Sequence, residues 1–598
     1  MNEKEEIREG YIKDYISGIE IKATPEELDA VQVFSKQLVD DYGYPVNYIQ
    51  TRPQYRVKSR PSDNKKEYPV DIAVFTSSDK VEENAYIIVE CKKKNRKDGK
   101  SQLEDYLRFS RAYLGVWFNG EERLFLQKVE KEGKVDFIEI PNIPKFGQRV
   151  EDIGKFKRKD LKPTHNLKST FKAIRNHLAA NTIGATRDEI LAQQLINLIF
   201  CKIYDEKFTK PEDFVTFRAG INEDIKVIRE RIEDLFTKVK TKYKDVMDGS
   251  EVISLDDKSI HYVVGELQNY SLIDAERDII ADAFETFIGH ALKGAQGQFF
   301  TPRNVVKMII DILDPNEDDI LLDPACGSGG FLIEGLRHIW NKLDKKAIEY
   351  NWGDLDLIEE KQAVALQNIR GIDKDSFLSK VTKAYMAILG DGKGGIFCED
   401  SLENPDNWNS KTKQKISLNY FDIIVTNPPF GSKIPVKGEA KLKQYDLAYK
   451  WKKDKTKNIW NKTDKLNNEG KKGGIEPQIL FIERCVNLLK ENGRMGIVLP
   501  DGIFGNDTLG YIREYLLQHG RVLAIIDIPI ETFMPNTSTK TSILIYQKTK
   551  KKDNFPVFMA IAEECGHDRR GKFIEEDDIP LIANEYHKWE KQNNVTYK

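Results

Sequence analysis

The sequence predicts an α/β protein that ends in a parallel sheet with helices on both faces. After Gly294, strand-like apolar runs alternate with helical stretches, which is typical of a doubly covered, largely parallel sheet. Residues 166–293 instead carry apolar side chains at helical spacing almost throughout, so we expect an all-α segment there. Residues 1–150 combine β-rich runs with short helical patterns, which predicts a separate α/β domain.

Changes in composition mark the boundaries of these segments. A length of 598 residues exceeds what one hydrophobic core normally serves. Residues 141–165 contain proline, lysine and glycine, and we interpret them as a linker. We therefore predict domains at residues 1–150, 166–293 and 294–550, followed by a C-terminal tail at 551–598.

The composition is that of an ordinary soluble protein, with 40% hydrophobic and 32% charged residues. No apolar run approaches the ~18 residues that cross a bilayer, so we expect a cytoplasmic protein without membrane contact. The six cysteines form no CxxC pair, and Cys565 with His567 is too small a group to bind zinc. The net charge of −3 does not by itself suggest nucleic acid, although lysine-rich stretches occur locally.

The segment LLDPACGSGG, Leu321 to Gly330, predicts a strand that enters a glycine-rich turn and then a helix. Glycines let the backbone approach a ligand closely, and the helix N-terminus presents free amides. Asp373 ends the next predicted strand, where a carboxylate can accept hydrogen bonds from ribose hydroxyls, and Asp400 ends a third. Many glycine-rich turns are only tight connections between a strand and a helix. We therefore infer a ligand site from the order of these segments and not from the turn alone.

A fourth predicted strand ends in Asn-Pro-Pro-Phe, residues 427–430. Pro428 and Pro429 have no amide donors and keep the backbone extended, so the Asn427 side chain and a backbone carbonyl can accept from one exocyclic amine. An amine held in this way becomes nucleophilic, and Phe430 offers a face for a flipped base. The alternative is a plain proline turn after a strand.

Together, GQFFTP (Gly297 to Pro302), DPACGSGG, GID, CEDSL and NPPF resemble the γ class of DNA amino-methyltransferases. The closer resemblance, over about residues 166–550, is to the M subunits of type I restriction-modification systems. It implies a Rossmann-like S-adenosylmethionine-dependent adenine-N6 methyltransferase, with Phe504 as a second stacking face or a core residue. The residues that the resemblance implies for cofactor contact are Gln298, Phe299, Phe300, Thr301, Pro302, Arg303, Asp323, Ala325, Gly327, Ser328, Gly329, Gly330, Asp373 and Asp400.

A second set of charged residues lies near the N-terminus. Asp71 lies in the run VDIAVF, while Glu90 and Lys92 end the run IIVECK two positions apart, on one face of a strand. Two carboxylates can hold Mg²⁺ on a phosphate, and a lysine can orient the attacking water. Short D…ExK patterns also arise as solvated charges at the edge of a sheet.

Residues 1–150 resemble the N-terminal nuclease domain of type I R subunits, because Gln102 follows in the helix SQLEDYLRFSRAY. The resemblance implies a restriction-endonuclease-like, PD-(D/E)xK fold and Mg²⁺-dependent DNA cleavage, with Gln102 as a further catalytic residue. Glu27 is either an extra carboxylate of that pattern or an acid that stabilises the start of its helix.

The partners are inferred partly from what the sequence lacks. There is no GxxxxGK[ST] loop for ATP-driven translocation, and only about 48 residues follow Lys550. We therefore expect double-stranded DNA, a separate specificity subunit and a hetero-oligomer with two copies of this chain, a layout similar to type IIB fused subunits. The lysine-rich insertion 433–473, with Tyr445, Tyr449, Trp451 and Trp460, either holds phosphates or is a solvated loop.

Three other hypotheses remain open at this point. The chain is a methyltransferase subunit whose N-terminal domain is inactive or only binds DNA. It is a non-enzymatic scaffold that senses S-adenosylmethionine. Or it methylates glutamine or RNA through Asn427 and the prolines that follow it.

Overall fold

The chain divides into two compact units. One comprises Met1–Lys244 with Asp248–Ala291, and the other comprises Asp245–Met247 with Leu292–Lys598. No described helix is both long enough and apolar enough to span a bilayer. The computed structural model describes residues 7–8, 10–58, 67–94, 96, 98–131, 134–164, 166–182, 188–244, 247, 249–274, 301–389, 392–431, 434–454, 456–467, 474–534, 537–551 and 555–597.

A six-stranded sheet forms the centre of the first unit, in the order β10-β9-β8-β7-β6-β3. Strands β7 and β8 are parallel, and the other neighbouring pairs are antiparallel. Two small hairpins, β1-β2 and β4-β5, lie outside it. The strands are β1 (Tyr11–Lys13), β2 (Glu20–Lys22), β3 (Ile49–Gln50), β4 (Tyr55–Lys58), β5 (Glu67–Val70), β6 (Ile72–Phe75), β7 (Ala85–Cys91), β8 (Leu114–Phe118), β9 (Arg123–Lys131) and β10 (Lys134–Glu139).

Helices cover both faces of this sheet. A π-helical turn at Glu27–Val31 leads into α1 (Gln32–Asp40), and Thr24 Oγ1 accepts from the Glu27 amide at 3.3 Å. Helix α1 packs on the face that receives Ile87 and Val89, whereas α2 (Lys100–Phe109) packs on the face that receives Ile88. Alternate residues of β7 thus enter two cores, which explains its continuous apolar sequence.

The helical segment has α3 (Leu167–Asn181), α4 (Asp188–Phe208), α5 (Ile225–Lys242) and α6 (Asp257–Leu267). Asp224 caps α5 and Asp256 caps α6, each by accepting a backbone amide of the first turn. Residues 275–300, which include the end of the predicted helical domain, lie outside the described residues.

The predicted linker at residues 141–165 is wrong. Ile143, Val150 and Ile153 are buried in the core on the α1 side of the first sheet, and Phe156 and Leu161 form a small cluster with Val215. The prolines and lysines of this segment are typical of a loop, but the apolar side chains between them pack into these two clusters.

An eight-stranded sheet forms the second unit, in the order β13-β12-β11-β14-β17-β19-β18-β20. The first five strands are mutually parallel, β19 is antiparallel to both neighbours, and β20 is parallel to β18. Two hairpins, β15-β16 and β21-β22, lie outside the sheet. The strands of this unit, in chain order, are β11 (Leu321–Asp323), β12 (Ile369–Asp373), β13 (Ile396–Cys398), β14 (Phe421–Thr426), β15 (Tyr449–Asp454), β16 (Ile459–Leu466), β17 (Leu489–Pro500), β18 (Gly520–Asp527), β19 (Thr541–Lys548), β20 (Phe558–Ile561), β21 (Cys565–His567) and β22 (Phe573–Asp577).

Helices alternate with these strands, as the sequence predicts for a doubly covered sheet. The helices are α7 (Arg303–Leu313), α8 (Gly330–Tyr350), α9 (Asp354–Gln367), α10 (Ser376–Leu389), α11 (Ser410–Lys415), α12 (Glu439–Leu442), α13 (Pro477–Leu488), α14 (Gly502–Gly505), α15 (Gly510–His519) and α16 (Ile579–Gln592). Short 3₁₀ turns lie at Val46–Tyr48, Glu82–Asn84, Val150–Asp152, Arg158–Asp160, Gly392–Gly395, Pro405–Asn407, Asp446–Ala448, Asp507–Leu509 and Ile530–Phe533.

The segment 551–598, which we predicted to be a tail, is part of the second unit. Strand β20 extends the large sheet beside β18, and α16 packs against α7. Asn304 in α7 donates to the Cys565 carbonyl at 3.1 Å and to Asp577 Oδ2 at 3.0 Å. The lysines around residue 551 are typical of the end of a domain, so the sequence suggested a tail. The α7 residues that contact the segment lie some 260 positions earlier in the chain.

Candidate functional site

Four predicted polar residues lie at one edge of the second sheet. Strand β11 ends at Asp323 and β12 ends at Asp373, while Asp400 follows β13 and Asn427 follows β14. Because these four strands are neighbours and parallel, their carboxyl ends meet at the same edge. Ligands of open α/β sheets bind in the crevice at this edge.

The glycine-rich turn between β11 and α8 forms a cradle at this edge. The Gly327 amide donates to Asp373 Oδ2 at 2.9 Å, and Thr382 Oγ1 donates to the Gly327 carbonyl at 2.7 Å. At Gly329, which has a φ of +89°, a Cβ would lie 2.7 Å from Thr382 Cγ2. A Cβ at Gly327 or Gly330 would meet no atom of the described residues within 4 Å, so among those residues the turn has open space over these two glycines.

Two carboxylates support this turn. Asp323 is buried, its Oδ1 accepts from the Ala325 amide at 3.0 Å, and burial raises its pKa to about 7. Asp373 accepts from the Asp375 amide at 2.8 Å as well as from Gly327, and burial raises its pKa. Each Asp373 oxygen has accepting capacity left, as a contact with ribose hydroxyls requires. Ser328 is half-buried in the same turn.

Asp400 has a partner that the sequence did not suggest. Its Oδ1 accepts from the Leu402 amide at 2.9 Å, and Lys441 in α12 donates to its Oδ2. Only the general richness of lysine in the insertion pointed to Lys441, because the two residues lie 41 positions apart. In the predicted contact with the cofactor, the Asp400 carboxylate would therefore also remain in its ion pair with Lys441.

Asn427 has one partnered and one unpartnered end. Its Nδ2 donates to Thr301 Oγ1 at 3.1 Å. Its Oδ1 is buried and has no hydrogen-bond partner among the residues that the structure describes. Since Pro428 and Pro429 carry no N–H, the strand end offers a hydrogen-bond acceptor without a neighbouring donor. A buried polar atom without a partner is costly, and a water or a ligand that donates to it restores the missing bond.

Other predicted residues surround Asn427. Phe430 is half-buried after β14, and the Gly431 amide donates to Gln478 Oε1 at 3.2 Å, which ties the loop to α13. Phe504 packs against the core cluster of the sheet, which supports a core role over a stacking role. Pro302 is the N-cap residue of α7 and Arg303 its first residue, whereas Gln298, Phe299 and Phe300 lie outside the described residues.

A second cluster lies in the first unit, between β6 and β7. Asp71 precedes β6, and its Oδ2 accepts from the Cys91 amide at 2.8 Å. Glu90 in β7 is 2% exposed, and Lys92 donates to its carboxylate. Burial raises the pKa of Asp71 to about 6, and burial together with the charge of Asp71 raises the pKa of Glu90 to about 7. The structure thus brings together the three residues of the D…ExK pattern.

The remaining predicted residues of this pattern are placed differently. Gln102 is exposed in α2 and donates to the Tyr106 hydroxyl, which donates in turn to the Pro69 carbonyl at 3.3 Å. Glu27 is paired with Arg52, so its carboxylate is held in an ion pair. Gln54, which no motif singled out, donates to Asp71 Oδ1 at 3.4 Å. Among the described residues, no group of three or more His, Cys, Asp or Glu is arranged to hold a metal ion.

Comparisons with known proteins match both units. The profile of the family N-6 DNA Methylase matches residues 275–598, and that of the Type I restriction enzyme R protein N terminus matches residues 26–144. The second description names part of a subunit and gives no activity.

Curated relatives include methylase subunits of type I restriction enzymes. The EcoEI subunit of Escherichia coli is 25% identical over 46% of this chain and 47% of its own length, and the MjaIX subunit of Methanocaldococcus jannaschii is 27% identical over 54% and 51%. The MpnII subunit of Mycoplasma pneumoniae is 21% identical over 82% and 79%. The chain thus spans about half the length of the first two relatives.

Among solved structures, the type I restriction-modification methyltransferase subunit of Streptococcus thermophilus is 17% identical. It covers 71% of this chain and 93% of its own length, with a TM-score of 0.47. The profile match to residues 275–598 covers more than half of the sequence. On this match, the chain belongs to the N-6 DNA methylase family.

Proposed function

We propose that this chain is an adenine-N6 DNA methyltransferase that uses S-adenosylmethionine and acts on double-stranded DNA in restriction-modification. The unpartnered, buried Oδ1 of Asn427 at the carboxyl end of β14 carries this proposal. Membership of the N-6 DNA methylase family supports it independently. Within the chain, we assign catalysis to residues 294–550, and we extend this domain to the β20–α16 segment that completes its sheet.

The glycine turn fits the cofactor. Open space over Gly327 and Gly330 would admit a ligand close to the backbone, and Asp373 would accept from ribose hydroxyls. Ser328, Gly329 and Ala325 belong to the same turn, and the segment from Thr301 to Arg303 reaches Asn427 through the Thr301 hydroxyl. When bound, S-adenosylmethionine supplies an electrophilic methyl group on a sulfonium.

The residues after β14 would prepare the acceptor amine. Asn427 Oδ1 would accept one N–H of the adenine amino group, and the Pro428 carbonyl would accept the other. An amino group held by two acceptors has its nitrogen lone pair turned out of conjugation with the ring and available for attack. Pro429 keeps the loop extended, and Phe430 provides an aromatic face for a base taken out of the duplex.

We further propose that sequence choice depends on a separate specificity subunit, in a hetero-oligomer with two copies of this chain. The relatives are named as methylase subunits, which implies enzymes of more than one subunit. Residues 166–293, the helical segment, are our candidate for docking this partner.

Sequencing that detects modified bases tests the function. Host DNA from cells with the intact chain and its partner gene should carry N6-methyladenine in one split motif, and the Asn427→Ala variant should lack it. Calorimetry should show that the variant still binds S-adenosylmethionine. Unchanged methylation in the variant would contradict the proposal and favour a cofactor-sensing scaffold, whereas methyl transfer only to RNA or protein would redirect it to those substrates.

A second candidate function concerns the first unit. Asp71 and Glu90 supply the oxygen ligands that Mg²⁺ prefers, and their raised pKa values reflect the close burial of two acids beside Lys92. These features support metal-dependent DNA cleavage with Gln102 nearby. The relatives are named as methylase subunits, which favours instead a methyltransferase subunit whose N-terminal domain is inactive or only binds DNA.

Plasmid restriction separates these two possibilities. Cells with the intact system should reduce transformation by unmodified plasmid, and Glu90→Gln should remove that reduction while leaving host methylation intact. If Glu90→Gln restricts plasmid as well as the intact chain does, the N-terminal domain is not the nuclease.

A further inference from the structure

The insertion after the Asn-Pro-Pro-Phe loop contains an antiparallel hairpin of β15 (Tyr449–Asp454) and β16 (Ile459–Leu466), here named the lysine hairpin. Residues 449–466 contain seven lysines and two aspartates, in a chain whose net charge is −3. The hairpin is therefore a local positive surface on a protein that is acidic overall. Lysine and arginine patches of this kind are the electrostatic footprint of nucleic-acid binding.

The aromatic residues of the insertion are used to anchor it. Trp451 Nε1 donates to the Asp446 carbonyl at 3.1 Å, and both Trp451 and Trp460 lie with ring centroids 6.1 Å from that of Tyr511 in α15. A Cβ at Gly510 would lie 2.5 Å from Trp460 Nε1, so the ring rests directly on that glycine. Buried Tyr445 donates to the Leu402 carbonyl at 2.8 Å. These contacts occupy Trp451, Trp460 and Tyr445. The fourth aromatic residue, Tyr449, has the Lys462 ammonium 5.1 Å from the centre of its ring, so none of the four is set out as a bare face for stacking on exposed bases.

Four lysines of the hairpin, in contrast, face solvent. Lys452, Lys453, Lys457 and Lys465 are exposed, and in the part of the chain that the structure describes none of them has an ion-pair partner. Lys462 is instead paired with Asp446 at the base of the hairpin. A surface with free ammonium groups and anchored aromatics suits phosphates and does not suit unpaired bases.

The fold holds the hairpin at the edge of the sheet where Asn427 lies. Val436 and Ile475 exchange two backbone hydrogen bonds of 2.7 and 3.0 Å, which close the base of the insertion six residues after Phe430. Helix α15, on which the hairpin rests, is reached from the carboxyl end of β17, and β17 is the parallel neighbour of β14. The lysines and the Asn427 acceptor are thus presented from the same edge.

We propose that the lysine hairpin binds the phosphate backbone of duplex DNA beside the target adenine. This inference rests on the proposed methyltransferase function and adds a contact that positions the DNA without reading its sequence. Backbone contacts release counterions, so they appear in the salt dependence of binding and act equally on all sequences.

The test uses the full chain and a fluorescent 30-base-pair duplex, with affinity measured between 50 and 200 mM salt. Lys452→Gln with Lys453→Gln should lower the slope of log affinity against log salt by about one to two, because the two side chains leave opposite faces of β15 and each one that contacts a phosphate contributes about one. The matched control is Lys345→Gln with Lys591→Gln. Lys345 is exposed and lies about 22 Å along α8 from the glycine turn, at 1.5 Å per residue.

An unchanged slope in the hairpin variant, or an equal change in the control, would overturn the inference. Loss of binding to single-stranded DNA alone would also overturn it. The hairpin variant should bind S-adenosylmethionine as the wild type does and unfold at the same temperature. A wild-type chain that binds duplex through the hairpin but transfers no methyl group would retain this inference and remove the proposed function.

Discussion

The two polar clusters of this chain differ in what they lack. In the first unit, Asp71 and Glu90 are acids buried close together, and Lys92 neutralises only part of their charge. In the second unit, Asn427 is neutral, has one good hydrogen bond and leaves one buried oxygen without a partner. The first cluster has more acidic than basic groups, and the second has a hydrogen-bond acceptor without a donor. Their functions should therefore respond to different perturbations, the first to pH and cations and the second to side-chain geometry.

The largest effect is expected at Asn427. Removing its acceptor in Asn427→Ala should lower kcat for DNA methylation by about 10³-fold, the upper range for loss of one preorganised hydrogen bond. Asn427→Asp keeps an oxygen at that position and should retain more activity than the alanine variant. Single-turnover methylation assays rank the three proteins. Equal rates for Asp and Ala would show that the oxygen of residue 427 is not the acceptor.

A pH-dependent effect on stability is expected at Glu90. Its pKa in the folded protein is about 7, above its ordinary value near 4.5, so between about pH 4.5 and 7 the folded state holds more protons than the unfolded state. The free energy of unfolding should fall as pH rises through this window. Glu90→Gln should flatten that fall and stabilise the first unit at pH 7 by ~1–3 kcal/mol.

Denaturant unfolding at pH 5 and pH 7.5, with and without Mg²⁺, measures this effect. If the two acids hold a cation, Mg²⁺ should stabilise the wild type at pH 7.5 and have no effect on Glu90→Gln. Asp71→Asn is the companion variant, because it removes the other acid of the pair. Equal pH profiles for wild type and Glu90→Gln would count against the buried-acid interpretation.

A smaller effect is expected at Thr301, whose hydroxyl accepts from Asn427 Nδ2. Thr301→Val removes that acceptor without changing the shape of the side chain and should lower kcat about tenfold, because the amide of Asn427 is then free to turn. Thr301→Ser should restore most of the rate. If Thr301→Val instead raises the KM for S-adenosylmethionine and leaves kcat unchanged, Thr301 contacts the cofactor and does not orient Asn427.

The smallest effect on the fold is expected at Gly330, the first residue of α8. A methyl group there would meet no other atom within 4 Å in the described part of the chain, so Gly330→Ala should leave the unfolding temperature unchanged and weaken S-adenosylmethionine binding by occupying the open cradle. Gly329→Ala is the contrasting variant, because its φ of +89° and the contact with Thr382 make it destabilising. Unweakened cofactor binding in Gly330→Ala would place the cofactor away from this glycine.

Local sequence patterns predicted the parts of the fold that depend on neighbouring residues. The ends of β11, β12 and β14 fall at Asp323, Asp373 and just before Asn427, because each polar residue follows a buried apolar run. The burial of residues 141–165 and the incorporation of β20 into the sheet were missed, since both depend on partners far along the chain.

The same limit applied to the side chains of the candidate site. Lys441 and Asp400 lie on different elements, and nothing in either segment indicates that they meet. The anchoring of Trp451 and Trp460 on α15 also had no local signal, because aromatic residues among lysines are equally typical of a stacking surface. The pairing of Thr301 with Asn427 spans 126 positions.

The packing of α16 against α7 has a consequence for how the protein is made. The ribosome makes α7 early, and the helix that packs against it, α16, follows some 260 residues later. Helix α16 carries His587, whose ring Nε2 lies 2.9 Å from the Asp311 carbonyl oxygen of α7. At ~5–20 residues per second this delay is roughly 13–50 seconds. During that interval the first unit has all its residues and is able to fold, while the sheet of the second unit still lacks its last strand. A newly made chain should therefore acquire its N-terminal fold well before it can acquire a complete catalytic domain.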